Sequence, residues 1–279
     1  MNRSVGASTL GAPHDPLDRV LALMARNGAT HLELRLDPDA PPPEPARLHD
    51  LLDRHRVRLL ALTTGVRVGE PPEPAVLDRH LELAAALGAP FVRVFPGLPA
   101  HPAPPDQVPP PSGDRVAAER DAARFLGRAA RVAADLGVRV ALETHDSHPR
   151  GADLRRLTDR ALEVPGAGPG VAVIWDLLHP WRVGETPAGT WAALGDLLRA
   201  GHGYVQIKDV ASRRDTTPVL QGDGVVPVAE AVRLLDAGGY RGPISLEWER
   251  LWYPRVPPLE QALPAAVRAL RALPAPPEP

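Results

Sequence analysis

The chain contains no cysteine, which excludes disulfide bonds, thiolate metal sites and cysteine nucleophiles. Aromatic residues make up only 4% of its 279 residues. No apolar run approaches the ~18 residues that a membrane-spanning helix needs. The N-terminal segment MNRSVGASTLGAPH lacks the apolar centre of a signal peptide. We therefore expect a cytoplasmic protein with no membrane partner.

Lysine is almost absent, because Lys208 is the single lysine among 32 Lys and Arg residues. We interpret the use of arginine elsewhere as a bias of GC-rich coding. An ammonium group is a compact point charge, whereas a guanidinium is a wide planar fork. Lys208 is therefore either a chance survivor, which composition alone favours, or a position that arginine cannot fill.

The charge balance gives no indication of a nucleic-acid partner. Net charge is −2 and the isoelectric point is about 6.6, and no basic stripe is visible along the chain. Apolar residues make up 44% and charged residues 24% of the chain, which is ordinary for a globular protein. The length allows one large domain or two small ones.

Short apolar runs alternate with segments of helical periodicity along the whole chain. The predicted strands are 5–9, 31–36, 58–64, 91–95, 138–144, 171–176, 204–208 and 244–247, and the predicted helices are 16–27, 46–55, 75–87, 115–136, 154–162, 190–199, 228–237 and 259–273. Eight strand–helix pairs predict a single α/β domain, a (β/α)8 TIM barrel over residues 1–273. A doubly wound sheet is disfavoured because no GxGxxG or GxxxxGKS motif occurs.

Two segments stand apart from this alternation. The proline-rich loop 96–114 follows the fourth strand, which places it on the catalytic face of a barrel. There it would either wall the pocket or be a decoration without a role. Residues 274–279, PAPPEP, are expected to form a disordered tail.

Polar side chains cluster at the predicted carboxyl ends of the last four strands. Strand alternation turns one residue on each of these strands into the barrel mouth, namely Glu143, Asp176, Gln206 and Glu247. Three converging carboxylates would be costly without a cation, and an all-oxygen donor set suits Mn²⁺ or Mg²⁺ better than zinc. The sequence therefore predicts one bound divalent cation. The alternative is a salt-bridge network that pairs the acids with Arg93, Arg213 or Lys208.

Further polar residues accompany these candidate ligands. His145 and His179 follow inward-facing acids on adjacent strands, and a neutral imidazole can transfer protons near pH 7. Lys208 shares the inner face of its strand with Gln206. Asp209 faces the other way, where we expect it to anchor the strand end at Lys208 or the following loop.

Five sequence pieces together resemble the sugar phosphate isomerase/epimerase superfamily, the xylose isomerase-like barrels. They are HLELRL at 31–36, ALETH at 141–145, IWDLLH at 174–179, VQIKDV at 205–210 with QGDGVVP at 221–227, and GYRGPISLEWE at 239–249. The resemblance implies that Glu143, Asp176, Gln206 and Glu247 are metal ligands. It also implies that His179 contacts substrate oxygens.

Position 206 departs from the common pattern of this superfamily, which reads HxKD there. The chain has Gln206 in place of the histidine ligand. The 3-dehydroshikimate dehydratases are similar barrels with a Glu, Asp, Gln, Glu ligand set and with histidines resembling His145 and His179. Gln206 is therefore compatible with a metal site, and it favours a dehydratase-like lyase over an epimerase.

The resemblance implies first a metal-dependent isomerase or epimerase of a keto sugar or keto cyclitol. The cation would bind two neighbouring substrate oxygens and stabilise an enediolate. Glu143 and Glu247 would exchange the proton. His145, His179 and Lys208 would orient hydroxyl groups and neutralise the developing negative charge.

The second reading is a dehydratase of the 3-dehydroshikimate dehydratase type. His145 would take the α-proton, and His179 or a carboxylic acid would help hydroxide to leave. A substrate carboxylate would need an arginine, for which Arg35, Arg67 and Arg93 are candidates. The residues predicted to contact a polyhydroxylated substrate are Arg35, Arg93, Arg213, Glu33 and Trp181.

Two other function classes stay open with less support. A non-catalytic sugar-binding barrel would keep the pocket but would not need three carboxylates around one point. A metal-dependent endonuclease is disfavoured by the acidic charge balance. Barrels of this kind often associate, so a homo-oligomer is possible.

Overall fold

The computed structural model describes residues 3–37, 40–98 and 113–274. The strands in these residues are β1 (Val5–Ser8), β2 (His31–Arg35), β3 (Arg58–Arg67), β4 (Phe91–Phe95), β5 (Arg139–Glu143), β6 (Val171–Asp176), β7 (Gly203–Ile207), β8 (Asp209–Val210), β9 (Pro218–Val219) and β10 (Ile244–Leu246). Of the predicted proline-rich loop, residues 99–112 lie outside the described residues. So do residues 275–279 of the predicted tail.

Eight of these strands close into a barrel in the order β1-β10-β7-β6-β5-β4-β3-β2. Every neighbouring pair is parallel, including β1 with β10, which closes the ring. The remaining two strands, β8 and β9, form a small antiparallel hairpin after β7. The predicted (β/α)8 barrel is therefore confirmed.

Helices follow each barrel strand and cover its outer face. They are α1 (Leu17–Asn27), α2 (Pro45–His55), α3 (Pro74–Leu87), α4 (Gly113–Asp135), α5 (Gly151–Leu162), α6 (Leu178–Arg182), α7 (Pro187–Arg199), α8 (Val228–Ala237) and α9 (Leu259–Ala272). The predicted helix ends at Gly28 and Gly88 are confirmed, since both glycines adopt φ of 71°, a conformation that other residues adopt only with strain. Among the described helices, none has the length and hydropathy to cross a membrane.

The alternation along the strands divides the core into two layers. Outward residues such as Val205 and Ile207 pack in the large cluster between barrel and helices. Inward residues, including Phe91, Ile174 and Tyr204, form a separate cluster. These residues lie on the inner face of their strands, before the polar residues. Apolar side chains therefore fill the barrel beneath the polar mouth, as in a packed barrel without a pore.

The hairpin of β8 and β9 and the short helix α6 were not predicted. The hairpin begins at Asp209, whose carboxylate accepts hydrogen bonds from the backbone N–H groups of Gly222 (3.0 Å), Gly224 (3.2 Å) and Val226 (3.1 Å). A Cβ atom at position 224 would lie 2.2 Å from Asp209 Oδ1, so only glycine fits there. The expectation that Asp209 anchors the following loop is confirmed.

Several predicted strand ends differ from the structure by one to three residues, and two of these differences concern the candidate site. β7 ends at Ile207 and β10 at Leu246, so Lys208 and Glu247 lie just beyond the regular strands. Both side chains remain buried. Both side chains lie among the polar residues of the mouth, where Lys208 pairs with Glu247, and the backbone N–H of Glu247 still donates to the carbonyl of Ile207.

Candidate metal centre

The four residues predicted as metal ligands lie together in the barrel mouth. Glu143 and Asp176 are the last residues of β5 and β6, Gln206 lies in β7, and Glu247 follows β10. The first three are fully buried and Glu247 is 4% exposed. Glu143, Asp176 and Glu247 each offer a carboxylate oxygen, and these oxygens all lie within 4.8 Å of one another.

Two buried cations share these carboxylates. Arg93 Nη1 lies 2.9 Å from Glu143 Oε2 and 3.3 Å from Glu247 Oε1. Lys208 Nζ lies 2.8 Å from Asp176 Oδ2, 2.5 Å from Glu247 Oε2 and 2.7 Å from an oxygen of Glu249. The salt-bridge network that was the alternative to a metal therefore forms in part, through Arg93 and Lys208.

The residues present nevertheless fit a divalent cation. Oε1 of Glu143 and Oε1 of Gln206 are buried acceptors without a hydrogen-bond partner in the described part of the chain, a state that costs free energy unless another group binds them. Among the described residues, the carboxylates of Glu143, Asp176, Glu247 and Glu249 pair with Arg93 and Lys208, and His179 Nε2 lies 3.4 Å from Asp176 Oδ2. Ionisation of all four acids would leave more negative than positive charge here, which a divalent cation would offset.

The surroundings of Glu143 and Asp176 shift the pKa values of these two acids in opposite directions. Burial and the nearby Glu247 charge raise the pKa of Glu143 to about 8. Burial opposes ionisation of Asp176 as well, but the Lys208 ammonium and His179 hold the pKa of Asp176 well below its usual range. These shifts favour the protonated form of Glu143 and the carboxylate form of Asp176 near neutral pH.

The two predicted catalytic histidines lie side by side above the acids. The ring centroids of His145 and His179 are 4.3 Å apart, and Phe95 lies 4.5 Å from His145. Burial and the neighbouring His145 lower the pKa of His179 to about 4. Burial also opposes the charged form of His145, but contact with Asp146 and the Glu143 charge raise the pKa of His145 above its usual value. The pair thus combines a basic and a weakly basic imidazole.

Glu33, predicted to contact substrate, lies on β2 and is fully buried. Its Oε2 accepts hydrogen bonds from Tyr204 Oη (2.7 Å) and Gln206 Nε2 (2.8 Å). Burial and the Glu247 charge raise the pKa of Glu33 to about 7. Glu33 therefore contacts a candidate metal ligand from the interior of the barrel.

Of the other predicted substrate residues, Arg93 belongs to the buried cluster, whereas Arg35, Arg213 and Trp181 make contacts outside it. Arg213 stacks over the ring of Trp181 at 5.2 Å, and the acids of the cluster pair with Arg93 and Lys208. Arg35 lies 5.7 Å from the ring of Trp252. Arg35 also lines a separate cavity of about 240 Å³, whose lining does not include the four candidate metal ligands.

Sequence reasoning did not assign a role to Glu249 or Asp146. Glu249 contacts Lys208, and the alternation that turns Glu247 inward also points to Glu249, so a signal was available. Asp146 lies 2.6 Å from His145 Nδ1 and has a positive φ of 45°. This conformation follows from the turn after β5 and has no signal in the residue spacing.

Comparisons with known proteins agree with this architecture. The family model of the xylose isomerase-like TIM barrel matches residues 21–273. No curated protein sequence matches the chain significantly.

Solved structures with the same fold are distant in sequence. A fusion protein of a xylose isomerase-like TIM barrel and 4-hydroxyphenylpyruvate dioxygenase is 18% identical with a TM-score of 0.75, and the match covers 98% of this chain and 43% of that one. The IOLI protein with a binding zinc atom is 16% identical with a TM-score of 0.73, over 95% and 96% of the two chains. An L-ribulose 3-epimerase is 19% identical with a TM-score of 0.71, over 98% and 94%.

Identities this low establish the fold and leave the reaction to the site itself. The closed eight-stranded barrel, the acids at the ends of its strands and the family match over residues 21–273 are mutually consistent. The chain therefore belongs to the xylose isomerase-like TIM barrel family.

Proposed function

We propose that the protein is a divalent-metal-dependent isomerase or epimerase of a small polyhydroxylated ketone, a keto sugar or keto cyclitol. The observation that carries this proposal is the buried group of Glu143, Asp176 and Glu247 with Gln206 beside it. The donors are all oxygen atoms, which favours Mn²⁺ or Mg²⁺. When bound, the cation would act as a Lewis acid that stabilises negative charge on substrate oxygens.

The residues of the chain supply the proton transfer. Glu143, with a pKa of about 8, is suited to exchanging a proton with a carbon next to a carbonyl near neutral pH. Glu247 comes from a strand three places away in the barrel and would deliver or remove the proton from another direction. Lys208 and Arg93, both buried against these acids, would offset negative charge as an enediolate forms.

The histidine pair favours a second candidate, a dehydratase of the 3-dehydroshikimate dehydratase type. β-Elimination needs a base for the α-proton and an acid for the leaving hydroxyl group. His145 and His179 lie 4.3 Å apart and have pKa values that their surroundings shift in opposite directions, an arrangement suited to separate acid and base roles. Gln206 at the fourth candidate ligand position supports the same reading.

The test is incubation of the protein with Mn²⁺ in D₂O with a panel of keto sugars, keto cyclitols and 3-dehydroshikimate. Deuterium incorporation without loss of water, measured by mass spectrometry, is the result expected for an isomerase or epimerase. A new conjugated ultraviolet band is the result expected for the dehydratase. If no substrate of the panel shows either deuterium incorporation or the new band, the result would contradict both enzyme proposals and favour a sugar-binding barrel.

The role of the metal is tested separately with Glu247→Gln. Wild-type protein purified without chelator should contain about one Mn²⁺ or Mg²⁺ per chain, and the variant should lose both metal and activity. Glu82→Gln, a change on the outer helix α3, is the control and should alter neither. Full activity of Glu247→Gln, or wild-type activity without metal, would contradict the proposed mechanism.

A further inference from the structure

The hydrogen bond between Glu33 and Gln206 bears on how the candidate metal site is assembled. Glu33 lies on β2, whereas Gln206 lies on β7, and β1 and β10 separate these strands in the barrel. The contact therefore crosses the barrel interior. Both side chains are fully buried, so water does not compete for this hydrogen bond.

A glutamine differs from the carboxylates beside it because its two terminal atoms are not equivalent. Only the amide oxygen can bind a cation, and only the amide nitrogen can donate a hydrogen bond. An unrestrained amide would rotate between the two orientations, and in one of them Gln206 would present N–H groups to the metal. The orientation of Gln206 must therefore be fixed by another residue if Gln206 is a ligand.

We infer that Glu33 is the positioning residue that fixes the amide of Gln206 with its oxygen toward the cation. Glu33 Oε2 accepts from Gln206 Nε2 at 2.8 Å. The remaining contact of that nitrogen, to Glu247 Oε1, is long at 3.5 Å. The opposite atom, Gln206 Oε1, is buried and has no hydrogen-bond partner among residues 3–37, 40–98 and 113–274, so it is available to a ligand. This inference rests on the proposed metal-dependent function.

The oxygen of Glu33 that holds Gln206 is itself held by a second donor. Oε2 of Glu33 accepts two hydrogen bonds, the second from Tyr204 Oη at 2.7 Å. Partners of this kind, which orient a ligand without touching the metal, typically change metal affinity 10–100-fold, a range we adopt as a rough expectation.

The test compares two substitutions of Glu33 by their effect on Mn²⁺ affinity, measured from free Mn²⁺ by electron paramagnetic resonance without substrate. Glu33→Gln removes the charge and keeps an oxygen acceptor, so affinity should stay close to that of wild type. Glu33→Met removes charge and acceptor together, and affinity should fall about 10-fold or more. Circular dichroism and thermal melting establish that both variants fold.

A second background separates amide orientation from general disturbance of the site. In the Gln206→Glu background both terminal atoms are oxygens, so no orientation has to be selected. Adding Glu33→Met there should cost far less affinity than it does with Gln206 present, and this difference would support the inference. An equal loss in both backgrounds, or no loss with Gln206 present, would overturn it.

The failure of the inference and that of the proposed function are distinguishable in this design. If wild-type protein binds no Mn²⁺, the metal site and the inference fail together. If wild-type protein binds Mn²⁺ and the Glu33→Met variant binds it equally well, only the positioning role fails. Turnover of substrate enters neither measurement.

Discussion

At the scale of single residues, composition and structure favour different explanations of Lys208. Composition alone favoured chance as the reason for this lone lysine. In the structure, its ammonium is fully buried and touches Asp176, Glu247 and Glu249. Burial opposes its charge, but the surrounding carboxylates raise the pKa of Lys208 well above its usual value. A compact, permanently charged group therefore occupies this place.

We predict that Lys208→Arg impairs activity about 100-fold or more, since the planar guanidinium cannot occupy the position of the ammonium without displacing the carboxylates. The measurement is kcat/KM on the substrate identified by the panel. The fold should persist, with a thermal midpoint only a few degrees lower, because an oversized buried group costs about 1–3 kcal/mol.

The matched control is the exchange Arg214→Lys on the exposed loop after β8, which should leave activity unchanged. Full activity of Lys208→Arg would contradict the prediction and indicate that the single lysine occurs at this position by chance. Loss of activity together with loss of the folded state would show that Lys208 is needed for stability, and would contradict the prediction.

At the scale of elements, a buried acid connects α4 with α5 and the loop after β5. Glu119 on α4 is fully buried and accepts hydrogen bonds from His148 Nε2 (3.2 Å), Arg156 Nη2 (2.7 Å) and Arg160 Nη1 (2.7 Å). Burial opposes its charge, but the bonds from His148 and Arg156 hold the pKa of Glu119 well below its ordinary value. This cluster holds in place the loop that carries His145.

We predict that Glu119→Gln lowers the free energy of unfolding by about 2 kcal/mol, because two arginines and a histidine lose their shared carboxylate. A depressed pKa gives stability that is present above the unfolded pKa, about 4.5, and is lost as the pH falls below it. The difference between wild type and variant should therefore shrink on acidification. Urea unfolding at about pH 7 and about pH 3.5 measures it.

Asp121→Asn supplies the control for this prediction, since Asp121 is an exposed acid of the same helix. It should change the free energy of unfolding by no more than about 0.5 kcal/mol at either pH. An effect of Glu119→Gln as small as that of Asp121→Asn would contradict the role of the cluster.

At the scale of the whole molecule, the barrel concentrates acidic groups in its mouth while the net charge is only −2. The pKa values of Glu143, about 8, and of Glu33, about 7, are raised by burial and by the Glu247 charge. A raised pKa gives stability that is present below the unfolded pKa and is lost as the pH rises through the folded one. The lowered pKa of His179 makes stability fall with decreasing pH, but only below its unfolded pKa of about 6.5.

We therefore predict that metal-free protein becomes less stable between about pH 6.5 and about pH 8.5, because the buried carboxyl groups must ionise. Mn²⁺ should raise the thermal midpoint at both pH values, and more at the higher one, since a cation binds the ionised carboxylates. Calorimetry with and without chelator measures both effects.

Glu143→Gln removes the group with the highest of these raised pKa values, so its metal-free stability should vary less over the same range. A thermal midpoint of metal-free wild type that rises between the two pH values would contradict the proposed electrostatics. A midpoint indifferent to Mn²⁺ would contradict the metal site itself.

The barrel could be predicted from the sequence because its signals are local. Strand alternation, helical periodicity and the glycines that end helices each act over a few residues, and eight repeats of them leave few architectures. The hairpin after β7 and the helix α6 were missed for the opposite reason. The hairpin depends on Asp209 meeting Gly222, Gly224 and Val226, and this meeting follows from the path of the loop in space.

The sequence by itself determined the barrel and which residues face its mouth, because side-chain direction in a strand follows from residue parity alone. It also proposed Glu143, Asp176, Gln206 and Glu247 as one set. Only the tertiary structure decided which groups share the charge of these acids. Contacts between strands, such as Arg93 with Glu247, Lys208 with Glu249 and Glu33 with Gln206, join residues far apart in the chain. No local pattern encodes such contacts, since they depend on how the closed barrel brings its strands together.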